Sequence, residues 1–282
     1  MSEPVTVLTG RSTLSISDLA RFTEQLARDA GELIQRERDN NTLRTDYKHQ
    51  TELVTHADLM ADEFITNAIR ARYPQHRILS EESMPDLTQA EELDTPLWVV
   101  DPIDGTVNYA YGHPQVAVSI AYAEKGQVQA GVVHAPFAGE TFQAVRGQGA
   151  TLNGTPISHS GASVPREALF ATGFPYTKDQ LEPLVNRLNA MIHQCRDLRR
   201  IGSAALDICW VACGRLDIYY ETVSPWDFAA ARLIATEAGA EAGHFSEPPA
   251  GYPVDLWGQD ILVTTPQLFS AIQQILRQAS TG

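Results

Sequence analysis

The sequence predicts one layered unit of mixed helices and strands, of the α+β or α/β class. Helical and strand-like periodicities alternate from about residue 16 onward, and no long linker, internal repeat or low-complexity block interrupts them. The chain has 282 residues, of which 43% are hydrophobic, and this is enough to bury a full core. We therefore expect a polar leader over 1–15 and a single domain over 16–282.

Two helices open the predicted domain. Ser17 is the expected N-cap of the first, whose apolar residues fall on one face. The second runs from about Thr55 to Arg72 and ends before Pro74, which cannot continue a helix. The apolar face of the first helix comprises Leu19, Phe22, Leu26, Ala30, Leu33 and Ile34.

Short apolar runs then predict strands, and the turn at 124–127 joins two of them as a hairpin. Beyond the Gly-rich stretch at 146–154, strands and helices alternate. The predicted strands lie at 77–79, 97–100, 116–123, 128–135, 141–145, 168–172, 198–201, 216–221 and 261–265. The later helices are predicted at 179–194, 203–213, 226–238 and 266–278.

Composition disfavours several classes of protein. The net charge is −14, with 35 acidic against 21 basic residues, which repels nucleic-acid backbones and anionic membranes. Three cysteines without a CxxC pair argue against a disulfide framework or a structural zinc site. No signal peptide is visible, and no apolar stretch approaches the ~20 residues that span a bilayer. We expect a soluble cytoplasmic protein that binds neither nucleic acid nor membrane.

The most informative segment is WVVDPIDGTVN at 98–108, in which a hydrophobic strand leads into Asp101 and Asp104. Pro102 fixes one φ and Gly105 permits a left-handed conformation, so a sharp turn can bring the two carboxylates to one point. Carboxylate and carbonyl oxygens are the ligands that Mg²⁺ prefers. The alternative is a surface turn, since Asp, Pro, Gly and Thr are all turn residues.

Two further segments carry acids at the ends of predicted elements. Glu81 follows the apolar run in ILSEES, where it could bridge a metal and accept a proton from water, or lie exposed after a strand. Asp227, in SPWDFAAARLIATEAGA at 224–240, opens a helix. It could simply cap that helix or interact with the positive end of its dipole.

Taken together, these segments resemble the inositol monophosphatase family. The motifs WxxDPIDGTxN, EES upstream and PWDxAAxxLxxxEAG downstream occur in the family's order and spacing. The resemblance extends from about Thr55 to Thr265 and includes LVTHADLMADEFI, GVVHAPFAGETFQAVRGQGATLNG and RRIGSAALDICWVACGRLDIYYE. It implies a single αβαβα sandwich of the inositol monophosphatase or fructose-1,6-bisphosphatase type, often a homodimer. It also implies an Mg²⁺-dependent, lithium-sensitive phosphatase with two or three Mg²⁺ ions in its site.

The resemblance also implies a role for each matching residue. Glu81, Asp101 and the Ile103 carbonyl would hold one metal, and Asp101, Asp104 and Asp227 a second, while Thr106 and Glu81 would activate the attacking water. Gly105 and Thr106 would offer backbone N–H groups to the phosphate. Asp58 would be a supporting acid or only a helix-face acid, and Lys48 would lie on a loop near the site or be an ordinary surface lysine. The residues that match the alcohol-binding segment are Gly202, Ser203, Ala204 and Glu221.

The stretch from Glu221 to Trp226 is one residue shorter than the common family form, a departure that bears on substrate choice. The expected reaction is hydrolysis of a small-molecule phosphate monoester, with myo-inositol 1-phosphate as the lead substrate. Rival substrates on the same scaffold are fructose 1,6-bisphosphate, histidinol phosphate and a nucleotide 3′-phosphate. A rival of another class is a regulatory binding protein that keeps the fold.

Overall fold

The structure, a computed structural model, describes residues 15–40, 45–48, 52–83, 93, 95–174 and 181–280. Within these residues the chain forms seven α-helices and fourteen strands. The helices are α1 Ile16–Asp39, α2 His56–Arg72, α3 Thr106–Ala110, α4 Leu181–Gln194, α5 Ala204–Ala212, α6 Pro225–Glu237 and α7 Pro266–Ser280. The strands are β1 Thr45–Lys48, β2 Glu52–Thr55, β3 Arg77–Ser80, β4 Leu97–Asp104, β5 Ala117–Glu124, β6 Gln127–Ala135, β7 Glu140–Val145, β8 Ala150–Leu152, β9 Thr155–Pro156, β10 Leu169–Ala171, β11 Asp197–Arg199, β12 Ile218–Glu221, β13 Glu241–His244 and β14 Ile261–Thr264.

The strands form three sheets. A seven-stranded sheet runs from β3 to β9 in sequence order, and only its β3–β4 pair is parallel. A five-stranded sheet has the order β11-β10-β12-β14-β13, with parallel pairs on both sides of β10. The remaining two strands, β1 and β2, form a separate antiparallel pair.

Five layers result from the way the helices cover these sheets. Helices α1 and α2 bury their apolar faces on one side of the seven-stranded sheet, with Ile34 and Ile65 in that core. Helices α5 and α6 fill the space between the two large sheets. Helices α4 and α7 cover the outer face of the five-stranded sheet, where Phe170 packs against Ile272. The predicted αβαβα sandwich is therefore confirmed.

Strand β4 lies at the centre of this arrangement because it is buried on both faces. Leu97 and Val99 face the core that contains α6, whereas Trp98 and Val100 face the core that contains α1 and α2. A strand buried on both faces is a continuous apolar run rather than an alternating pattern. The LWVV run thus places the end of β4, and the acids that follow it, between two cores.

Helix α6 approaches the seven-stranded sheet closely at one glycine. A Cβ on Gly131 would lie 2.9 Å from the Cα and the carbonyl oxygen of Ala230, which is too close for any side chain. Glycine in a strand often marks such a close approach of another backbone. This contact fixes the position of α6 and therefore of Asp227 in its first turn.

Several predicted elements agree with the structure. Helix α2 ends before Pro74, and the expected hairpin joins β5 to β6 through Lys125 and Gly126, both at positive φ. The cysteines form no disulfide, and Cys195 and Cys209 are buried. No helix in the described ranges combines the length and the apolar character needed to cross a bilayer.

Other predictions were wrong in detail. The N-cap of α1 is Ser15 rather than Ser17. The strand predicted at 198–201 ends at Arg199, and the strands β1, β2, β8, β9 and β13 and the short helix α3 were not predicted at all. These elements have between two and five residues, too few for a periodic pattern to emerge. Of the expected polar leader, residues 1–14 lie outside the described part of the chain.

Candidate active site

The site begins where β4 loses its regular pairing with β5. Asp101 pairs with Ser119 and Asp104 with Ala117, so the register shifts between the two acids. Residues three apart on a regular strand point to opposite faces, and an irregularity of this kind redirects one side chain. Gly105 then turns the chain at φ 96°, and a Cβ there would lie 2.9 Å from the carbonyl oxygen of Gln115. The predicted sharp turn is therefore present.

This turn brings Asp101 and Asp104 close to Asp227, a carboxylate from a distant part of the chain. One oxygen each from Asp101, Asp104 and Asp227 lie within 4.8 Å of one another. Asp227 is also the N3 residue of a capping box at the start of α6, where the N–H of the N-cap residue Ser224 donates to its Oδ2 at 2.7 Å. Glu81 follows β3 and lies beside Asp101, to which its side chain is hydrogen-bonded.

Crowding of these acids disfavours their ionised forms. Burial raises the pKa of Asp101 well above its usual value, and the nearby charges of Glu81, Asp104 and Asp227 raise it further. Burial and the same kind of repulsion raise the pKa of Asp227. A hard divalent cation would reverse this effect, because it favours the carboxylate form and takes oxygen ligands. The donor set therefore fits Mg²⁺ or a similar ion.

Thr106 links the turn to the start of α2. Its Oγ1 lies 3.1 Å from Asp58 Oδ1 and 3.1 Å from the Ile103 carbonyl oxygen. Asp58 is buried, and its Oδ2 accepts the Thr55 N–H at 2.8 Å in a capping box. The hydroxyl of Thr106 is thus held between two acceptors, and the Ile103 carbonyl retains a second lone pair for another partner.

Asp104 lies at the N-terminus of α5. Its Oδ2 accepts hydrogen bonds from Ser203 Oγ at 2.5 Å and from Ala205 N at 2.8 Å, and its Oδ1 accepts one from Ala204 N at 3.2 Å. Burial nevertheless raises its pKa to about 6. Ser203 and Ala204, two residues of the predicted alcohol-binding segment, therefore orient the Asp104 carboxylate.

Glu221 ends β12 on the other side of the cleft. Tyr219 donates its hydroxyl hydrogen to Glu221 Oε2 at 2.7 Å. Burial raises the pKa of Glu221 to about 7. Because the carboxylate packs directly on the backbone of Gly173, it is held at the cleft wall.

The cleft between these elements has a volume of about 620 Å³. All but two of the predicted site residues line it. Of those two, Asp58 supports Thr106 from behind, and the side chain of Lys48 lies outside the described residues. The predicted residues that line the cleft are Glu81, Asp101, Ile103, Asp104, Gly105, Thr106, Gly202, Ser203, Ala204, Glu221 and Asp227.

The cleft is also lined by residues that were not predicted for the site, among them Gly173, Phe174, Arg200 and Asp207. Asp207 is one turn beyond Ser203 and is the one acid in the apolar helix AALDICWVA, a pattern that could have identified it. Arg200 precedes the Gly202 turn as the second of two adjacent arginines. No local pattern distinguishes Gly173 and Phe174, because only the approach of β12 brings them into the cleft.

Comparison with known proteins places this site in a family. Residues 15–281 match the Inositol monophosphatase family. The chain belongs to this family. It is 36% identical over 268 residues to inositol monophosphatase 3 of Solanum lycopersicum, an alignment that covers 94% of this chain and 98% of the relative. It is also 38% identical over 255 residues to the Nus factor SuhB of Escherichia coli strain K12, covering 89% and 92%.

A solved structure of an IMPase from Thermotoga maritima shares the fold, with a TM-score of 0.80 and 30% identity, covering 94% of this chain and 98% of the other. The resemblance predicted from the motifs is thus confirmed, and the chain is a phosphatase enzyme. The family is generally metal-dependent, in agreement with the acid cluster of Asp101, Asp104 and Asp227.

Proposed function

We propose that this inositol monophosphatase family member hydrolyses a small phosphate monoester with Mg²⁺, and that myo-inositol 1-phosphate is its lead substrate. The observation that carries the proposal is the convergence of Asp101, Asp104 and Asp227 beside the turn at Gly105. In this proposal Glu81, Asp101 and the Ile103 carbonyl hold one cation, and Asp101, Asp104 and Asp227 hold another. Two or three Mg²⁺ ions would neutralise the phosphate dianion and make water a stronger nucleophile.

The protein's own groups then position the reactants and move a proton. Glu81 accepts the proton of the attacking water, and Thr106, held by Asp58, orients that water through its hydroxyl. The backbone N–H groups of Gly105 and Thr106 face the phosphate from the turn. No covalent intermediate with the protein is required, because water attacks the phosphorus directly.

At the other end of the cleft, Glu221 accepts hydrogen bonds from hydroxyls of the leaving alcohol. The Gly173 backbone and the Tyr219 hydroxyl hold its carboxylate toward the cleft. The segment of Gly202, Ser203 and Ala204 borders the same space, while Ser203 and Ala204 also hold Asp104. An alcohol with several hydroxyls fits this polar wall better than a simple aryl group does.

A phosphate-release panel tests the proposal. The purified protein is assayed with Mg²⁺ on myo-inositol 1-phosphate, fructose 1,6-bisphosphate, histidinol phosphate, a nucleotide 3′-phosphate and a simple aryl phosphate. The expected result is release of phosphate from the inositol ester with the highest kcat/KM, silenced by EDTA and restored by Mg²⁺. A higher kcat/KM for another of these esters would replace the lead substrate, and turnover unaffected by EDTA would contradict the role of metals.

Further properties are proposed from the family resemblance. We expect a cytoplasmic homodimer that Li⁺ inhibits by occupying one of the metal positions. Light scattering during gel filtration tests the dimer, and turnover at tens of millimolar Li⁺, an order-of-magnitude figure for weak hard-ion sites, tests the inhibition. A monomeric mass would contradict the first expectation, and unchanged turnover would contradict the second.

A second candidate function is that of a regulatory protein on the same fold. The match to a relative named Nus factor SuhB favours it. The three acids proposed to hold the second cation, Asp101, Asp104 and Asp227, are all present and close together, so such a role would accompany catalysis rather than replace it. A double substitution of Asp101 and Asp227 that abolishes turnover separates the two roles. If this variant still rescues a strain that lacks the gene, the regulatory role does not require catalysis, and if it does not, the role depends on turnover.

A further inference from the structure

Asn108, in the short helix α3, belongs to the WxxDPIDGTxN motif, but the proposed mechanism gives it no role. It is half-buried and is not among the described residues that line the cleft. Its side-chain amide nevertheless donates to three backbone carbonyls, those of Gln115 at 2.7 Å, Ile201 at 2.9 Å and Gly202 at 3.3 Å. This side chain therefore joins the segment after β4 to residues that are 93 and 94 positions away in the sequence.

The three contacts depend on the donors of the amide and not only on its volume. An asparagine side chain has two N–H donors. One of them serves Gln115, and the other is shared between the successive carbonyls of Ile201 and Gly202. An aspartate has the same shape, but its carboxylate only accepts hydrogen bonds and would face three further acceptors.

Two glycines in the left-handed region pack against the Asn108 amide. Gly105 has φ 96° and Gly202 has φ 88°. A Cβ on Gly105 would lie 3.1 Å from the Gly202 carbonyl oxygen and 3.6 Å from Asn108 Nδ2, and a Cβ on Gly202 would lie 3.0 Å from the same nitrogen. The turn at Gly105 and the turn at Gly202 are therefore in contact, and the amide of Asn108 lies against both.

The residues that follow Gly202 hold Asp104, one of the acids proposed for the second cation. Three successive residues, 203–205, donate hydrogen bonds to its carboxylate. Asp104 itself comes directly before Gly105, so the acid and its donors lie on opposite sides of the contact that Asn108 bridges. A shift of one turn relative to the other would move the donors relative to the acid.

We propose that Asn108 is a positioning residue for the second cation, because it holds the Gly202 turn in the place that orients the Asp104 carboxylate. This inference rests on the proposed function, in which Asp101, Asp104 and Asp227 hold that cation. Loss of a group behind a metal ligand typically lowers metal affinity 10–100-fold. We expect the low end of that range, since the Gly202 turn separates Asn108 from the carboxylate.

The test is calorimetric titration of the metal-free protein with Mg²⁺, which measures a Kd for each of two cations. In Asn108→Asp one Kd should rise about tenfold and the other less than about threefold, because Asp104 is assigned to one cation only. Asn108→Ala removes the donors without adding a charge and should raise the same Kd at least about fivefold. The melting temperature of each variant in EDTA reports the stability of the fold separately.

Asn153→Asp is the matched control. Asn153 Nδ2 also donates to a backbone carbonyl, that of Gly139 at 3.0 Å, and Asn153 is not among the described residues that line the cleft. The substitution removes the same donors and adds the same charge at a site that shares no partner with Asn108. Both Kd values should therefore stay within about twofold of wild type.

A double-variant cycle tests whether Asn108 acts through Asp104. In a protein that already carries Asp104→Asn, the further change Asn108→Asp should alter the affected Kd less than about twofold. Full additivity of the two changes would overturn the inference, and so would an equal rise of the Kd in Asn153→Asp. A lower melting temperature in EDTA with unchanged Kd values in both Asn108 variants would show that Asn108 only stabilises the fold.

The wild-type measurements separate this inference from the proposed function. If wild type binds no Mg²⁺, the proposed metal site and the inference fall together. If it binds one Mg²⁺ only, the assignment of Asp104 to a second cation fails, and the inference fails with it. Turnover of a simple aryl phosphate by wild type shows independently whether the phosphatase function stands.

Discussion

The carboxylate of Glu221 lies directly on the backbone of Gly173, so that a Cβ at residue 173 would overlap both carboxylate oxygens. The two residues come from different strand ends, β12 and the exit of β10, which neighbour each other in the five-stranded sheet. The close packing holds the Glu221 carboxylate in one position at the cleft wall. If Glu221 binds the alcohol as proposed, recognition of the alcohol therefore depends on the lack of a side chain at residue 173 as well as on the acid itself.

Gly173→Ala tests this dependence. The added methyl group must displace the Glu221 carboxylate, so KM for myo-inositol 1-phosphate should rise several-fold, whereas kcat for a simple aryl phosphate should change less than about twofold. The control is Glu221→Ala with and without Gly173→Ala. If the glycine acts through Glu221, the double variant should be no worse than Glu221→Ala alone, and additive losses would contradict the link.

Asp101→Asn should have opposite effects on turnover and on the stability of the metal-free protein. Turnover should fall by more than ~100-fold even at saturating Mg²⁺, because loss of a direct ligand should exceed the 10–100-fold typical of groups behind the ligands. The melting temperature in EDTA should rise, since one buried, repelled carboxyl is removed. Activity within tenfold of wild type would exclude Asp101 as the bridging ligand.

Thr106→Ala should lower kcat on every substrate by ~100-fold or more, in line with the loss of general-base assistance. The reason is that, in the proposed mechanism, Thr106 orients the water and does not contact the alcohol. Thr106→Ser, which keeps the hydroxyl between Asp58 and the Ile103 carbonyl, should retain most of the activity. A rise in KM with unchanged kcat in Thr106→Ala would assign the residue to binding instead.

Asp207→Asn should stabilise the protein. Asp207 is buried, burial raises its pKa, and its Oδ1 has no hydrogen-bond partner in the described part of the chain. Replacement of this buried carboxyl by a neutral amide should raise the melting temperature at pH 8 by a few degrees, as expected for about 1 kcal/mol in a protein of this size. Asp197→Asn is the control, because Arg199 and the Leu198 N–H lower the pKa of that exposed acid and its loss should not stabilise. A lower melting temperature for Asp207→Asn would show a structural role.

The metal-free protein should lose stability as the pH rises. The pKa of Asp104 increases from 3.8 to about 6 on folding and that of Glu221 from 4.5 to about 7. A carboxyl with a raised pKa binds its proton more tightly in the folded state, so its contribution is fully present below about pH 4 and is lost as the pH passes 6 to 7. Thermal unfolding in EDTA between pH 4.5 and 8 measures this trend. Mg²⁺ should reduce this loss of stability with rising pH. A melting temperature in EDTA that does not change with pH would contradict the prediction.

The motifs around Asp101, Glu81 and Asp227 predicted the family, the layers and most of the cleft, because these acids either follow apolar runs or open a periodic helix. The register shift in β4 could not be predicted, since it depends on pairing with Ser119 and Ala117 across the sheet. Likewise, Arg200 and Gly173 reach their positions in the cleft only when the five-stranded sheet assembles. Their sequence neighbourhoods contain no period or cap that indicates a cleft.

Asp227 belongs both to the capping box of α6 and to the acid cluster, and this dual position affects the order of events during protein synthesis. Glu81, Asp101 and Asp104 leave the ribosome well before residue 227, and each is then on a chain that lacks the five-stranded sheet. Until then the nascent chain lacks Asp227, one of the three acids proposed for the second cation. In the proposed site that cation can therefore bind only after α6 has emerged and packed against Gly131.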